Sequence, residues 1–217
     1  MQVWAFISQK GGVGRSTLLC HLAVYAEQQK RMTTVLDCDP QTSCVRWSKE
    51  RRTREPIVLA TAPEKLRDSV EAARTLGVDL CLIDTASRLD AAALAAISCA
   101  DRIVTPTRGG LLNMESLEGT AKVLEMAGRL HDAIAIINDV EQSKVESTVG
   151  EASAVLDRLN FPICPVHLCH RAPFETAINA GKGITETNPK SPGADEIRNL
   201  WAALNQRVAA KKLKKVG

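Results

Sequence analysis

The segment SQKGGVGRST, residues 8–17, constrains this chain more than any other. It lies directly between an apolar run at 3–8 and a helix-like stretch at 16–29. Gly11, Gly12 and Gly14 let the backbone curl tightly and aim successive N–H groups at one point. The N-terminus of the following helix adds its dipole at the same place. A strand that enters a helix through such a turn is the arrangement that binds phosphate. The pattern G-x-x-x-x-G-K-[ST] is met at Gly14 and Ser16, but Arg15 stands where lysine is usual.

The rest of the chain repeats the strand-then-helix alternation. Strands are expected at 3–8, 34–37, 57–60, 80–84, 103–106, 133–138 and 163–168. Helices are expected at 16–29, 63–76, 91–100, 114–130, 148–159, 174–180 and 192–210. This order implies βαβ units with right-handed crossovers. Most of the strands are apolar throughout, as when helices cover both faces. The expectation is an α/β fold: a doubly wound, mostly parallel sheet with helices on both faces. The chain has 217 residues, 45% hydrophobic and 24% charged, which suits one globular domain over 1–217 and excludes a disordered or fibrous chain. No apolar run reaches the roughly 18 residues of a membrane span. No leader is expected before the first strand, and seven cysteines in mostly apolar surroundings suit the expectation of a reducing, cytoplasmic setting.

Two further motifs bear on the phosphate loop. Asp37 and Asp39 close the run TVLDCDPQ, and Asp84 closes LCLID. The C-terminal ends of parallel strands share one sheet edge, so all three carboxylates converge on the loop. Carboxylates beside a polyphosphate need a mediating cation, which implies Mg²⁺.

At this point a family resemblance is legible. KGGVGRS resembles the deviant Walker A loop of the ParA/MinD ATPases, with Lys10 as its additional lysine, and DCDPQTS resembles the D-x-D-P-Q-G motif of partition proteins. ADRIVTPTRGGLLNMES, IIND at 136–139 and HRAPFETAINAGKGITETNPKSPGADEIRNLW are similar to later segments of the same family, so the likeness runs along essentially the whole chain. The size resembles the short plasmid ParA group, which lacks an N-terminal DNA-binding domain.

The resemblance implies an ATP- and Mg²⁺-dependent ATPase of the P-loop NTPase fold that forms nucleotide-dependent sandwich homodimers. Lys10 would reach the partner's phosphates across the dimer. Gly11, Gly12, Val13 and Gly14 would cradle phosphates, with Arg15 in the lysine's place. Ser16 would meet Mg²⁺, and Thr17 a phosphate nearer the sugar. Asp39 would orient or activate the attacking water. Asp37 and Asp84 would hold the Mg²⁺ shell, and Asn138 would meet the adenine edge. Three departures qualify this pattern. Arg15 keeps the charge but is bulky and planar, so slow hydrolysis is expected. Ala86 and Ser87 replace the usual P-P or P-G, and the RGG at 108–110 replaces P-S-P.

The function implied is plasmid or chromosome partition, through non-specific double-stranded DNA on the nucleoid and a ParB-like centromere-binding adaptor. The alternatives are the positioning of another cargo (conjugative transfer DNA or a protein complex) and a slow or non-hydrolysing scaffold. Lys plus Arg is 28 against 25 for Asp plus Glu, too mild an excess to identify a nucleic-acid binder. Its placement is more telling. Arg198, Arg207, Lys211, Lys212, Lys214 and Lys215 are candidates for DNA phosphates, and residues 207–217 form a basic tail without an acid. That tail lacks an apolar face, which disfavours membrane anchoring. The stretch 46–55, RWSKERRTRE, reads as surface. Cys164, His167, Cys169 and His170 have metal-like spacing, but a core strand there would separate Cys164 and His167 onto opposite faces. An iron–sulfur reductase of the same fold needs interface cysteines, and Cys99 falls in a helix instead.

Overall fold

The computed structural model describes residues 1–206. Its strands are β1 (Gln2–Phe6), β2 (Thr33–Asp37), β3 (Ile57–Ala60), β4 (Leu80–Asp84), β5 (Arg102–Thr107) and β6 (Ala133–Ile137). The helices are α1 (Arg15–Gln28), α2 (Ser43–Glu50), α3 (Leu66–Thr75), α4 (Ala91–Cys99), α5 (Leu111–Met126), α6 (Val145–Arg158), α7 (Ala172–Asn179), α8 (Ile184–Thr187) and α9 (Pro192–Asn205). The six strands form one sheet in the order β3-β2-β4-β1-β5-β6, with every pairing parallel. Successive strands are added on one side of β1 and then on the other. The order therefore reverses at β1, and the crevice at that reversal is where such sheets hold ligands.

Alternation along the strands divides the core in two. Val3, Ala5 and Ile7 point to one face and pack with α3–α6 residues such as Leu66, Ile97, Leu124 and Leu156. Trp4 and Phe6 point to the other face and pack with Leu19 and Leu22 of α1, Trp47 of α2, and Ile197 and Leu200 of α9. Each of these large side chains contributes about 1.5–3 kcal/mol by leaving water. Trp201 of α9 closes the second core, with its ring 5.5 Å from that of Trp4 and 5.9 Å from that of Tyr25. β2, β4 and β6 are buried at every position, as strands covered on both faces should be, whereas β3 is an edge strand with Ile57 and Leu59 about half exposed.

Two expectations need correction. The run 163–168 is not a strand. It meets β6 through one isolated bridge, Ala135 with Ile163, and through the Leu168 amide, which donates to the Ile137 carbonyl at 3.0 Å; a second bridge, Val140 with Cys169, follows just beyond. Pro162 and Pro165 explain this, since neither can donate to a ladder. The facing argument for Cys164 and His167 lapses with the strand. Even so, no group of three or more potential ligands is placed to hold a metal among the described residues. Secondly, 43–50 is a helix that the basic composition of 46–55 obscured. α2 buries only Cys44 and Trp47 and turns Arg46, Lys49 and Glu50 to solvent.

Candidate active site

β1 ends at Phe6, and the chain turns through residues 8–14 into α1. Gly14 precedes the helix at φ 85°, where an L side chain is strained. A Cβ there would also lie 2.5 Å from Asn138 Nδ2. No side chain caps α1 and its first turn carries no acid, so its leading N–H groups are available to an anion. The loop borders a cavity of about 400 Å³, lined by Gly11 through Thr17, Cys20, Asp39, Gln41, Ser43, Trp47, Ser87 and Ile178. That volume lies in the usual range for a small-molecule site.

Arg15 is buried, and its guanidinium folds back beneath the loop. Nη1 donates to the carbonyls of Ser8 (2.9 Å) and Lys10 (3.4 Å), and Nη2 donates to Ser87 Oγ (3.1 Å). Two carboxylates stand 3.9 Å away, Asp39 from Nη2 and Asp84 from Nε. These are charge contacts rather than hydrogen bonds.

Asp84, fully buried at the end of β4, accepts from Ser16 Oγ at 2.6 Å. Burial pushes its carboxyl up to about 6, against the opposing pull of the Ser16 hydroxyl and the Arg15 charge. Its Oδ1 has no hydrogen-bond partner among the described residues, and neither has Arg15 Nε. Unpaired buried polar atoms of this kind are costly. Asp37 is committed to the backbone: Oδ1 accepts from the Asp39 amide at 3.1 Å, and Oδ2 accepts from the Cys44 and Val45 amides at 3.0 and 3.1 Å. Burial raises its pKa, while those three amides lower it. Asp37 thereby fixes the start of α2, and Asp39 Oδ1 orders the next turn by accepting from the Gln41 amide.

The donor set fits a magnesium–nucleotide group. The cavity has a glycine-bordered helix N-terminus on one side and, beside it, a carboxylate oxygen without a hydrogen bond among the described residues and a hydroxyl already hydrogen-bonded to that carboxylate. Hard oxygen donors of this type suit Mg²⁺.

Residues 4–215 match the CobQ/CobB/MinD/ParA nucleotide binding domain. The chain belongs to this family. Among its MinD/ParA relatives, the chromosome-partitioning ATPase Soj of Thermus thermophilus is 25% identical, with 94% of this chain and 95% of Soj covered. The maintenance of carboxysome distribution protein A of Gloeobacter kilaueensis is 35% identical over 54% of this chain and 53% of its own length. The fold is that of MinD from the MinC:MinD complex of Aquifex aeolicus (TM-score 0.79, 17% identity, 94% and 96% covered). It is also that of the Pyrococcus horikoshii MinD complexed with Mg-ADP (TM-score 0.77, 16% identity, 94% and 96% covered).

Against the MinD/ParA expectations, the structure brings Gly11–Thr17, Asp39 and Ser87 to one cavity, with Asp84 directly behind. Lys10 is exposed beside them. Asn138 is close but differently engaged: its Nδ2 donates to the Val13 carbonyl at 2.8 Å and so braces the loop. Arg198, half-buried on α9, pairs with Asp195 at 2.7 Å. Arg207, Lys211, Lys212, Lys214 and Lys215 lie outside the described residues. Residue patterns missed the Cys20, Trp47 and Ile178 walls. Trp47 was concealed by its charged neighbours, and Ile178 is far from the loop in sequence.

Proposed function

We propose that this chain is a ParA-type partition ATPase that forms ATP-dependent sandwich dimers. The observation that carries this is the meeting of an uncapped, glycine-led helix N-terminus with Arg15, Ser16 and Asp39 in one cavity, with Asp84 hydrogen-bonded to Ser16 directly behind it. The full-length likeness to Soj adds to it. Bound Mg²⁺ would neutralise phosphate charge, the principal requirement of phosphoryl transfer. Ser16 and Asp84 are the residues to hold it, with Asp37 keeping the loop after β2 in place. The amides of Gly11–Gly14 and α1 would hold the phosphates, with Thr17 alongside. Asn138 would serve the base edge while bracing Val13. Asp39 would orient the attacking water, and Lys10 would supply positive charge across a dimer. Arg15 would support nucleotide binding with slow turnover.

In this reading the dimer binds double-stranded DNA non-specifically on the nucleoid through Arg198 and the basic tail, and a ParB-like adaptor stimulates it. No described helix is long and apolar enough to cross a membrane. The likeness to a carboxysome distribution protein favours a second reading in which the cargo is a protein complex. ATPase rates with and without DNA and adaptor, together with sizing in ATP and ADP, test both. Dimers in ATP and a DNA-stimulated rate are expected. A monomer in every nucleotide, with no turnover under any condition, sinks the proposal.

A further inference from the structure

We propose that Ser87 is a positioning residue for Arg15, and that the two form one coupled unit joining the loop after β4 to the phosphate loop. This rests on the phosphate-site reading of the cavity. A guanidinium is a planar fork, held in one orientation only when its separate N–H directions are each engaged. Here Nη1 is fixed by the Ser8 and Lys10 carbonyls, and Ser87 Oγ is the hydrogen-bond acceptor for Nη2. Without Ser87, Nη2 keeps only the 3.9 Å contact to Asp39, and Nε already lacks a hydrogen-bond partner among the described residues.

The loop that carries Ser87 is itself anchored. Thr85 Oγ1 donates to the Phe6 carbonyl at 2.9 Å, and Ala86 is buried. Ser87 is therefore presented from a fixed base, half-buried and bordering the cavity. Because its oxygen accepts from Arg15, its own hydroxyl hydrogen remains for an oxygen of the ligand. A lysine at this position has one compact ammonium and no fork to be turned, so it would not need this partner. The two departures, Arg15 and Ser87, are thus complementary.

Residues acting as one unit give non-additive effects. The test uses the full chain and the variants S87A, S87T, R15K and R15K/S87A, reading affinity for a fluorescent ATP analogue with Mg²⁺. With Arg15 in place, S87A should weaken affinity about tenfold, the scale of one hydrogen bond to a charged group. S87T, which keeps the hydroxyl, should restore it to within about twofold. In the R15K background, S87A should change affinity by less than about twofold. An equal loss in both backgrounds, or no loss with Arg15, overturns the inference. If the wild-type chain binds no nucleotide, the phosphate-site reading fails instead. Urea unfolding of the same proteins then decides the pair: additive effects overturn it, and non-additive effects uphold it.

Discussion

Arg15 shows how a single side chain sets the character of this site. A lysine ammonium is a slim point charge, whereas this guanidinium engages two loop carbonyls, a hydroxyl and two carboxylates together. A guanidinium held in that frame is bulkier and less free to follow the phosphate than an ammonium, so R15K should raise steady-state ATP turnover about tenfold or more, measured by phosphate release. His21 gives a second prediction at this scale. It is buried in α1, its Nδ1 accepts from the Ile184 amide at 3.0 Å, and its ring meets Phe174 edge-on. Burial lowers its pKa from 6.5 to about 4. Between those values the unfolded chain holds the proton and the folded chain does not. Stability from neutral His21 is therefore complete above about pH 6.5 and drains away as pH falls toward 4, on the order of 3 kcal/mol in all. Asp84 contributes the opposite slope between 3.8 and about 6, because the folded state is the one that keeps its proton. Urea unfolding of wild type and H21N across pH 4–7 isolates the histidine: the difference between them should shrink as pH falls.

The phosphate loop and its neighbouring strands were legible as elements because their patterns are local. Glycines sit at a turn, and apolar runs end in aspartates. α2 was not legible. Only Cys44 and Trp47 face inward over two turns, and the charges between them read as surface. Its position is set by distant partners. Trp47 Nε1 donates to the Lys182 carbonyl at 3.3 Å, and the Arg51 guanidinium stacks on the Trp47 ring and pairs with Glu186 at 3.1 Å. Gly181 makes that approach possible. Its φ is +67°, and a Cβ would lie 2.4 Å from the Glu50 carbonyl carbon. G181A should therefore destabilise the chain by about 2–3 kcal/mol in urea unfolding. The cavity should suffer too, because Trp47 is one of its walls. The segment 163–168 was misread for a related reason: its apolar run resembles a strand, and the prolines that prevent one count only once a hydrogen-bonding neighbour is present.

For the molecule as a whole, the charges proposed to meet phosphates occupy separate regions. Arg15 is buried inside the fold, whereas Arg198 lies half-buried on the last described helix, paired with Asp195. Deleting 207–217 should leave nucleotide affinity unchanged. It should weaken duplex DNA binding and flatten the dependence of log affinity on log salt by about 0.9 for each phosphate that is no longer neutralised. Unchanged DNA affinity would remove the tail from the interface. The cavity wall has one more consequence. Its residues run from Gly11 to Ile178, so the ribosome must have made most of the chain before the wall is complete. A chain ending before α7 would lack the Ile178 side of the site. A loop that is local in sequence thus borders a site whose full wall only the nearly complete fold supplies.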